Sequence, residues 1–176
     1  MTISCICLSC SGDKTEVLLR EMESKPINLC FDSISCYLNG VDTLGYLPNN
    51  YDNLLIVNID SAECSSCTLN NLDRWDEWID FADNKNSKFA IIFVIQPKTG
   101  DKFFIRRKTE NLSRRFYKRT PFYIDNDGMF LKRNFRKKIP AVMQTMLLNK
   151  SNMVIYVGNP TINEFVKAEL NDIINL

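Results

Sequence analysis

Two almost uninterrupted apolar runs, Leu54–Ile59 and Phe89–Ile95, constrain the fold of this chain more than any other feature. Continuous apolar runs of this length are typical of strands that are buried on both faces, and such strands occur in sheets that are covered by helices. Between the runs, apolar residues recur at the three- and four-residue spacing of an amphipathic helix: Leu69, Leu72, Trp75, Trp78, Ile79 and Ala82. The alternation predicts an α/β fold with parallel strands in a central mixed β-sheet flanked by helices.

The region before the first apolar run is expected to add a short helix and a β-hairpin. Apolar residues near helical spacing predict the helix, or a tether, at Thr15–Ser24. Alternating residues over Ile34–Leu38 lead into Asn39-Gly40, a pair that tolerates the positive φ of a tight turn, and the chain returns over Val41–Leu44.

The second half of the chain predicts five further elements. They are a basic helix at Asp101–Arg115, a short strand at Pro121–Ile124, an antiparallel hairpin formed by Ala141–Leu148 and Met153–Val157, and a helix at Thr161–Leu176. Thr161 is the predicted N-cap of the last helix, because Glu164 follows three residues later as in a capping box.

Charge is distributed unevenly along the chain. Residues 98–138 contain 14 of the 22 Lys and Arg but four of the 21 acids, a net charge of +10, and the remainder carries −9. Such a basic segment could bind an anionic partner or lipid headgroups. We favour the simpler interpretation that it is a solvent-exposed helix face. No nucleic-acid partner is expected.

Seven Cys and no His limit the chemistry of the chain. Without His, the chain cannot build a Ser-His-Asp triad, a Cys-His protease dyad or a His-ligated metal site. We therefore expect no metal and no cofactor, and any reaction is expected to take place on sulfur.

The segment Cys64-Ser65-Ser66-Cys67 has the spacing of a redox-active cysteine pair, and it falls at the first turn of the helix after the first apolar run. A helix N-terminus favours a thiolate, so Cys64 is the predicted nucleophile. Cys67, one turn later, is placed to resolve a mixed disulfide. A structural disulfide, half of a zinc site or coincidence remain as alternatives, although the other cysteines offer no matching pair for zinc.

From Leu54 to Leu176 the order of elements resembles the thioredoxin fold, and within it the TlpA/ResA-like group of bacterial thiol–disulfide oxidoreductases. In these proteins an Asn or Asp stands six residues before the first Cys, as Asn58 does here. The resemblance also implies a cis-proline that faces the Cys pair and contacts substrate. Ile139-Pro140 is the matching step, and a proline that only starts a strand is its alternative.

Two positions depart from that group. Glu63 stands directly before Cys64, where relatives carry Trp, and a carboxylate there disfavours a thiolate. Asn70 occupies the place of a glutamate that assists proton movement in ResA-type proteins. We therefore count Asn58, Glu63, Ser65 and Ser66 as neighbours of the site and expect a slow or specialised reductant.

The N-terminal residues are interpreted as an export signal. Residues 1–14 contain an apolar stretch and then small residues, which is similar to a bacterial lipoprotein signal with Cys10 as the lipidated residue, but no Lys or Arg precedes Cys10. The alternative is a cytosolic protein with a Cys-rich tail. The expected organisation is a signal or tether at 1–14, a helix and hairpin extension at 15–47, and a thioredoxin-like domain at 48–176, in a monomer of the periplasm or cell envelope.

The leading hypothesis is a lipid-anchored oxidoreductase that acts on thiols and disulfides of exported proteins and is recharged by a membrane redox partner. A peroxiredoxin-like peroxidase is one alternative, although Ser61-Ala62-Glu63-Cys64 lacks the Thr of that motif. A binding module with a passive disulfide is another. Cys30 and Cys36 are interpreted as buried thiols in preference to a local disulfide.

Overall fold

The two apolar runs form adjacent parallel strands, as predicted. The computed structural model describes residues 12–49, 51–60, 65–84, 88–117 and 119–174. In these ranges the first run is β3 (Asn53–Ile59) and the second is β4 (Phe89–Ile95), paired in register from Asn53 opposite Phe89 to Ile59 opposite Ile95. Both strands are almost entirely buried because helices cover both faces of the sheet.

The described residues form one seven-stranded sheet in the order β2-β1-β5-β4-β3-β6-β7. The further strands are β1 (Ser35–Leu38), β2 (Val41–Asp42), β5 (Phe122–Ile124), β6 (Thr145–Asn149) and β7 (Val154–Val157). β3, β4 and β5 are parallel, whereas β1 pairs antiparallel with β5 and β6 pairs antiparallel with β3. The mixed sheet confirms the predicted fold class.

The predicted N-terminal hairpin is present and extends the main sheet. Asn39 and Gly40 have φ values of 53° and 73°, the positive values that the turn requires. The second strand is shorter than predicted, since β2 ends at Asp42. β1 places Cys36 opposite Tyr123 of β5, so the hairpin shields an edge of the parallel strands.

Helices cover the sheet on both faces. They are α1 (Gly12–Glu23), α2 (Ser65–Asn70), α3 (Asp76–Asp83), α4 (Lys102–Arg115), α5 (Met129–Asn134) and α6 (Glu164–Ile174). One core contains side chains from α2, α3, α4 and α6, among them Leu69, Trp78, Ile105 and Val166. The opposite core contains Met22 of α1 and Phe130 of α5.

The prediction of one continuous amphipathic helix after Cys64 is wrong. The chain forms α2, a 3₁₀ helix at Leu72–Trp75 and then α3. Asn71 interrupts the α-helix at φ −114° and ψ 31°, and its Nδ2 donates a hydrogen bond of 2.8 Å to the Cys67 carbonyl oxygen. The apolar periodicity continues through the break because Leu72 and Trp75 are both buried.

Two boundaries in the last quarter of the chain also differ from prediction. The strand predicted at Ala141–Leu148 begins at Thr145, after a 3₁₀ helix at Ala141–Met143. The last helix begins at Glu164, and Asn163 caps it by accepting hydrogen bonds from the backbone N–H groups of Phe165 and Val166 at 2.9 and 3.3 Å. Thr161 is not the cap, since its hydroxyl donates to Asn159 Oδ1.

The predicted N-terminal helix is α1, which starts at Gly12. The signal-like residues 1–11, including Cys10, lie outside the described residues. Among the helices that are described, none combines the length and apolar character needed to span a bilayer. The domain limits proposed from the sequence remain predictions.

Candidate active site

The candidate reactive group among the described residues is the sulfur of Cys67. α2 starts at Ser65, five residues after β3 leaves the sheet, so Cys67 lies in the first turn of this helix. Cys67 is exposed and takes part in a disulfide bond. Cys30 and Cys36 are free thiols, so neither is its partner. Glu63 and Cys64 lie outside the described residues, and of Ser65 and Ser66 only the backbone is described.

A cavity of about 210 Å³ lies beside Cys67. It is bounded by the carboxyl end of β3, by α2 and the 3₁₀ helix that follows, by the start of β6, and by the turn that leads to α6. Asn58, Asn71 and Arg74 contribute polar groups to its lining, and the buried indole of Trp75 forms an apolar wall. The site therefore combines a disulfide sulfur with a concave and mostly polar surface.

Three buried polar side chains form a network next to this cavity. Gln144 is 1% exposed and lies between Asn58 and Asp60, each 5% exposed. Asn58 Nδ2 donates to Gln144 Oε1 at 2.6 Å, and Gln144 Nε2 donates to Asp60 Oδ2 at 2.8 Å. Lys138 Nζ lies 3.8 Å from the same carboxylate oxygen. The network ties the end of β3 to the start of β6, and thereby fixes one side of the cavity.

Known proteins resemble this chain in structure and not in sequence. No protein-family model matches the sequence, and no curated protein matches it either. One match is the solution structure of a protein from Bacteroides thetaiotaomicron that is proposed to be a protein disulfide isomerase. Its TM-score is 0.54 at 14% sequence identity, and the alignment covers 86% of this chain and 88% of that one. A Cys-to-Ser mutant of PrxQ from Xylella fastidiosa matches with a TM-score of 0.53 at 11% identity, over 85% and 92%. This chain has a thioredoxin-like fold.

A third structure with this fold is the exposed lipoprotein thioredoxin of Streptococcus pneumoniae. It matches with a TM-score of 0.48 at 18% identity, over 72% of this chain and 87% of that one. At this level of similarity the match carries no information about where the present chain acts or whether it is anchored.

The thioredoxin-like fold lacks the predicted cis-proline at Ile139-Pro140. The peptide bonds of the described residues are all trans, so this prediction is wrong. The 3₁₀ helix at Ala141–Met143 separates Pro140 from the start of β6 at Thr145, so the proline does not stand directly before that strand as predicted. Of the two residues, Ile139 is buried in the opposite core, Pro140 is exposed, and neither lines the cavity.

Gln144 is the residue that directly precedes β6, in the place predicted for the proline. Its backbone also bridges the strands, because Asn58 N–H donates to the Gln144 carbonyl oxygen at 3.0 Å. Sequence reasoning placed Asn58 near the site but missed Gln144 and Asp60. The available signal was a glutamine inside an otherwise apolar stretch, since a buried amide needs polar partners.

Asn70 is the last residue of α2, three residues after Cys67. Lys108 Nζ of α4 donates a hydrogen bond to Asn70 Oδ1. Partial burial lowers the pKa of the Lys108 ammonium. A lysine thus hydrogen-bonds to Asn70, the residue that stands where the resemblance to ResA-type proteins implied a glutamate.

The other described cysteines are separate from the site. Cys36 is fully buried, and burial raises the pKa of its thiol to about 12. Cys30 is 8% exposed, and burial raises its pKa as well. Neither forms a disulfide bond, which agrees with their interpretation as buried thiols. Within the described ranges, no group of three or more Cys, Asp and Glu is arranged to hold a metal ion.

Proposed function

We propose that this protein is a thiol–disulfide oxidoreductase whose redox pair is Cys64 and Cys67. The observation that carries the proposal is the position of Cys67, which is exposed, disulfide-bonded and part of the lining of a polar cavity at the end of β3. Cys64 precedes Cys67 by three residues, and the pairing of these two is the simplest one that the sequence offers.

The proposed reaction uses Cys64 as the nucleophile. Its thiolate attacks a substrate disulfide, which forms a mixed disulfide and releases one substrate thiol. Cys67 then attacks the Cys64 sulfur, which releases the second substrate thiol and leaves the pair oxidised. Two electrons pass from the protein to the substrate, and a redox partner returns the pair to the dithiol.

Insulin reduction tests this function. In the presence of a chemical reductant, the wild-type chain is expected to accelerate precipitation of the insulin B chain, and Cys64→Ser and Cys67→Ser are expected to abolish the acceleration. Cys30→Ala is the matched control, because it removes a free thiol outside the site. Equal activity in Cys64→Ser would contradict the proposal.

A binding module with a passive disulfide is the second candidate, and the trans bond at Ile139-Pro140 favours it. This function predicts no insulin turnover and a Cys64 thiol that titrates near its ordinary pKa of about 8.5. Alkylation of the reduced protein as a function of pH, read by mass spectrometry at Cys64, separates the two. An oxidoreductase requires the pKa of this thiol to lie lower.

We further propose that the chain acts in the cell envelope, since stable disulfides persist in oxidising compartments. Its proposed substrates are thiols and disulfides of exported proteins, and Cys10 is the proposed site of lipid attachment. Fractionation of cells that express the chain tests this proposal. The wild-type protein is expected with the membranes and Cys10→Ser in the soluble extracellular or periplasmic fraction, whereas cytosolic recovery of both would contradict it.

A further inference from the structure

The cavity beside Cys67 carries a single kind of charge among its described residues. Arg74 is the one charged residue among the described lining residues, and no Asp or Glu of the described chain lines the cavity. The Arg74 side chain forms no hydrogen bond or ion pair with any residue that the structure describes. The rest of the described lining consists of neutral amides, hydroxyls, the Cys67 sulfur and apolar groups, so no described lining residue repels a negatively charged occupant.

The acids Asp60 and Asp76 have other hydrogen-bond partners. Asp73 and Asp76, its neighbours along the chain, do not line the cavity. Asp76 accepts a hydrogen bond of 3.0 Å from the Tyr117 hydroxyl. Asp60, near the base of the cavity, is held by Gln144. The guanidinium therefore remains available to a ligand.

The size of the cavity limits what it can hold. A volume of about 210 Å³ corresponds to about seven water molecules at roughly 30 Å³ each. Drug-sized ligands need cavities of about 300–1,000 Å³. The space fits one side chain or one half of a small disulfide. Ile162, which is 65% exposed and part of the lining, offers an apolar contact to the aliphatic part of such a group.

We infer that this cavity selects disulfides that carry a carboxylate close to the reacting sulfur, and that Arg74 is the residue that binds the carboxylate. The inference rests on the proposed exchange at Cys64 and Cys67. Arginine presents a planar pair of N–H donors that matches the two oxygens of a carboxylate, and such charge-assisted bonds are stronger than neutral ones.

In the reaction, Arg74 acts as a specificity-determining residue. The Cys64 thiolate attacks the disulfide of the bound compound, the S–S bond breaks, and one carboxylated thiol leaves. Cys67 displaces the second thiol from Cys64, and the protein dithiol becomes a disulfide while the substrate gains two electrons and two protons. Arg74 holds the carboxylate throughout and takes no part in electron transfer.

Exchange kinetics with three small disulfides test the inference. The reduced protein is mixed with 3,3′-dithiodipropionate, which is anionic, 2-hydroxyethyl disulfide, which is neutral, or cystamine, which is cationic. Rates are divided by those of free dithiothreitol to remove differences in intrinsic reactivity. We expect the wild-type protein to favour the anionic over the cationic disulfide by about tenfold or more.

Arg74→Gln is expected to lower this preference about tenfold, with a much larger fall in the rate with the anionic disulfide than in the rate with 2-hydroxyethyl disulfide. Arg107→Gln is the matched control, since Arg107 is exposed on α4 and does not line the cavity. An anion preference that Arg74→Gln leaves intact, or that Arg107→Gln lowers equally, overturns the inference. Peptide disulfides with Glu or Lys beside Cys show whether a peptide carboxylate is accepted as well as a small one.

Binding of compounds that cannot react with the cysteines tests the carboxylate site separately from the proposed oxidoreductase function. Suberate has the shape of 3,3′-dithiodipropionate with carbon in place of sulfur, and 1,6-diaminohexane is the counterpart of cystamine. We expect suberate, and not the diamine, to shift the amide NMR signals of Arg74 and Trp75 in the oxidised wild type, with loss in Arg74→Gln. Absence of this shift overturns the carboxylate site, whereas its presence without exchange of any disulfide overturns only the oxidoreductase function.

Discussion

Replacement of Gln144 by Leu is expected to destabilise the protein by about 1–3.5 kcal/mol. The bond to the Asp60 carboxylate at 2.8 Å contributes about 1.5–3 kcal/mol, and the bond from Asn58 at 2.6 Å contributes about 0.5–1.5 kcal/mol. Burial of the leucine side chain offsets about 1 kcal/mol of this loss. Asp60 keeps Lys138 at 3.8 Å, so the carboxylate is not left alone.

Urea unfolding followed by circular dichroism measures the change. Thermal unfolding is a second readout: a domain of this size loses about 2–4 °C of melting temperature per kcal/mol, so the melting temperature should fall by roughly 2–14 °C. Gln96→Leu is the matched control, because Gln96 is half-buried and its side chain forms no hydrogen bond with the described residues. Equal destabilisation by the two variants, or less than about 0.5 kcal/mol for Gln144→Leu, would refute the structural role of the network.

Two further predictions concern the hairpin and the thiol beneath it. The pKa of Cys36 rises from 9.0 to about 12 on folding. The contribution of this thiol to stability is therefore fully present below pH 9 and is lost as the pH rises toward 12, at up to about 1.4 kcal/mol per pH unit. Cys36→Ala should reduce the alkaline slope of the unfolding free energy measured from pH 8.5 to 10.5, and an unchanged slope would contradict this. Gly40→Ala should cost about 2 kcal/mol in urea unfolding, because φ is +73° and an added Cβ would lie 2.6 Å from Arg114 Cβ. Gly45→Ala, at φ +71° with nothing within 4 Å, should show only the backbone cost of about 1 kcal/mol, and equal losses would contradict the predicted clash.

The elements that the sequence predicted correctly are those with a strong local pattern. The apolar runs of β3 and β4 and the Asn39-Gly40 turn each follow from neighbouring residues alone. The break at Asn71 was missed because the apolar periodicity continues through it. Thr161 and Asn163 are both good N-caps, and the choice between them depends on the turn that Asn159 stabilises.

The polar network could not be predicted because it is not local. Asn58 and Gln144 are 86 residues apart, and only the antiparallel pairing of β3 with β6 brings them together. The proline prediction failed for a related reason. Its position relative to β6 depends on the 3₁₀ helix at Ala141–Met143, which moves the start of the strand five residues beyond Pro140. Arg74 became a candidate only when the cavity showed that it lies beside Cys67.

Trapping of a mixed disulfide tests the central claim, a redox pair formed by Cys64 and Cys67, most directly. Cys67→Ser removes the resolving thiol, so reaction of this variant with a peptide disulfide is expected to leave the peptide attached to Cys64, as mapped by mass spectrometry. Cys64→Ser under the same conditions is expected to give far less adduct. Adducts of equal yield in the two variants, or none on Cys64, would contradict the account.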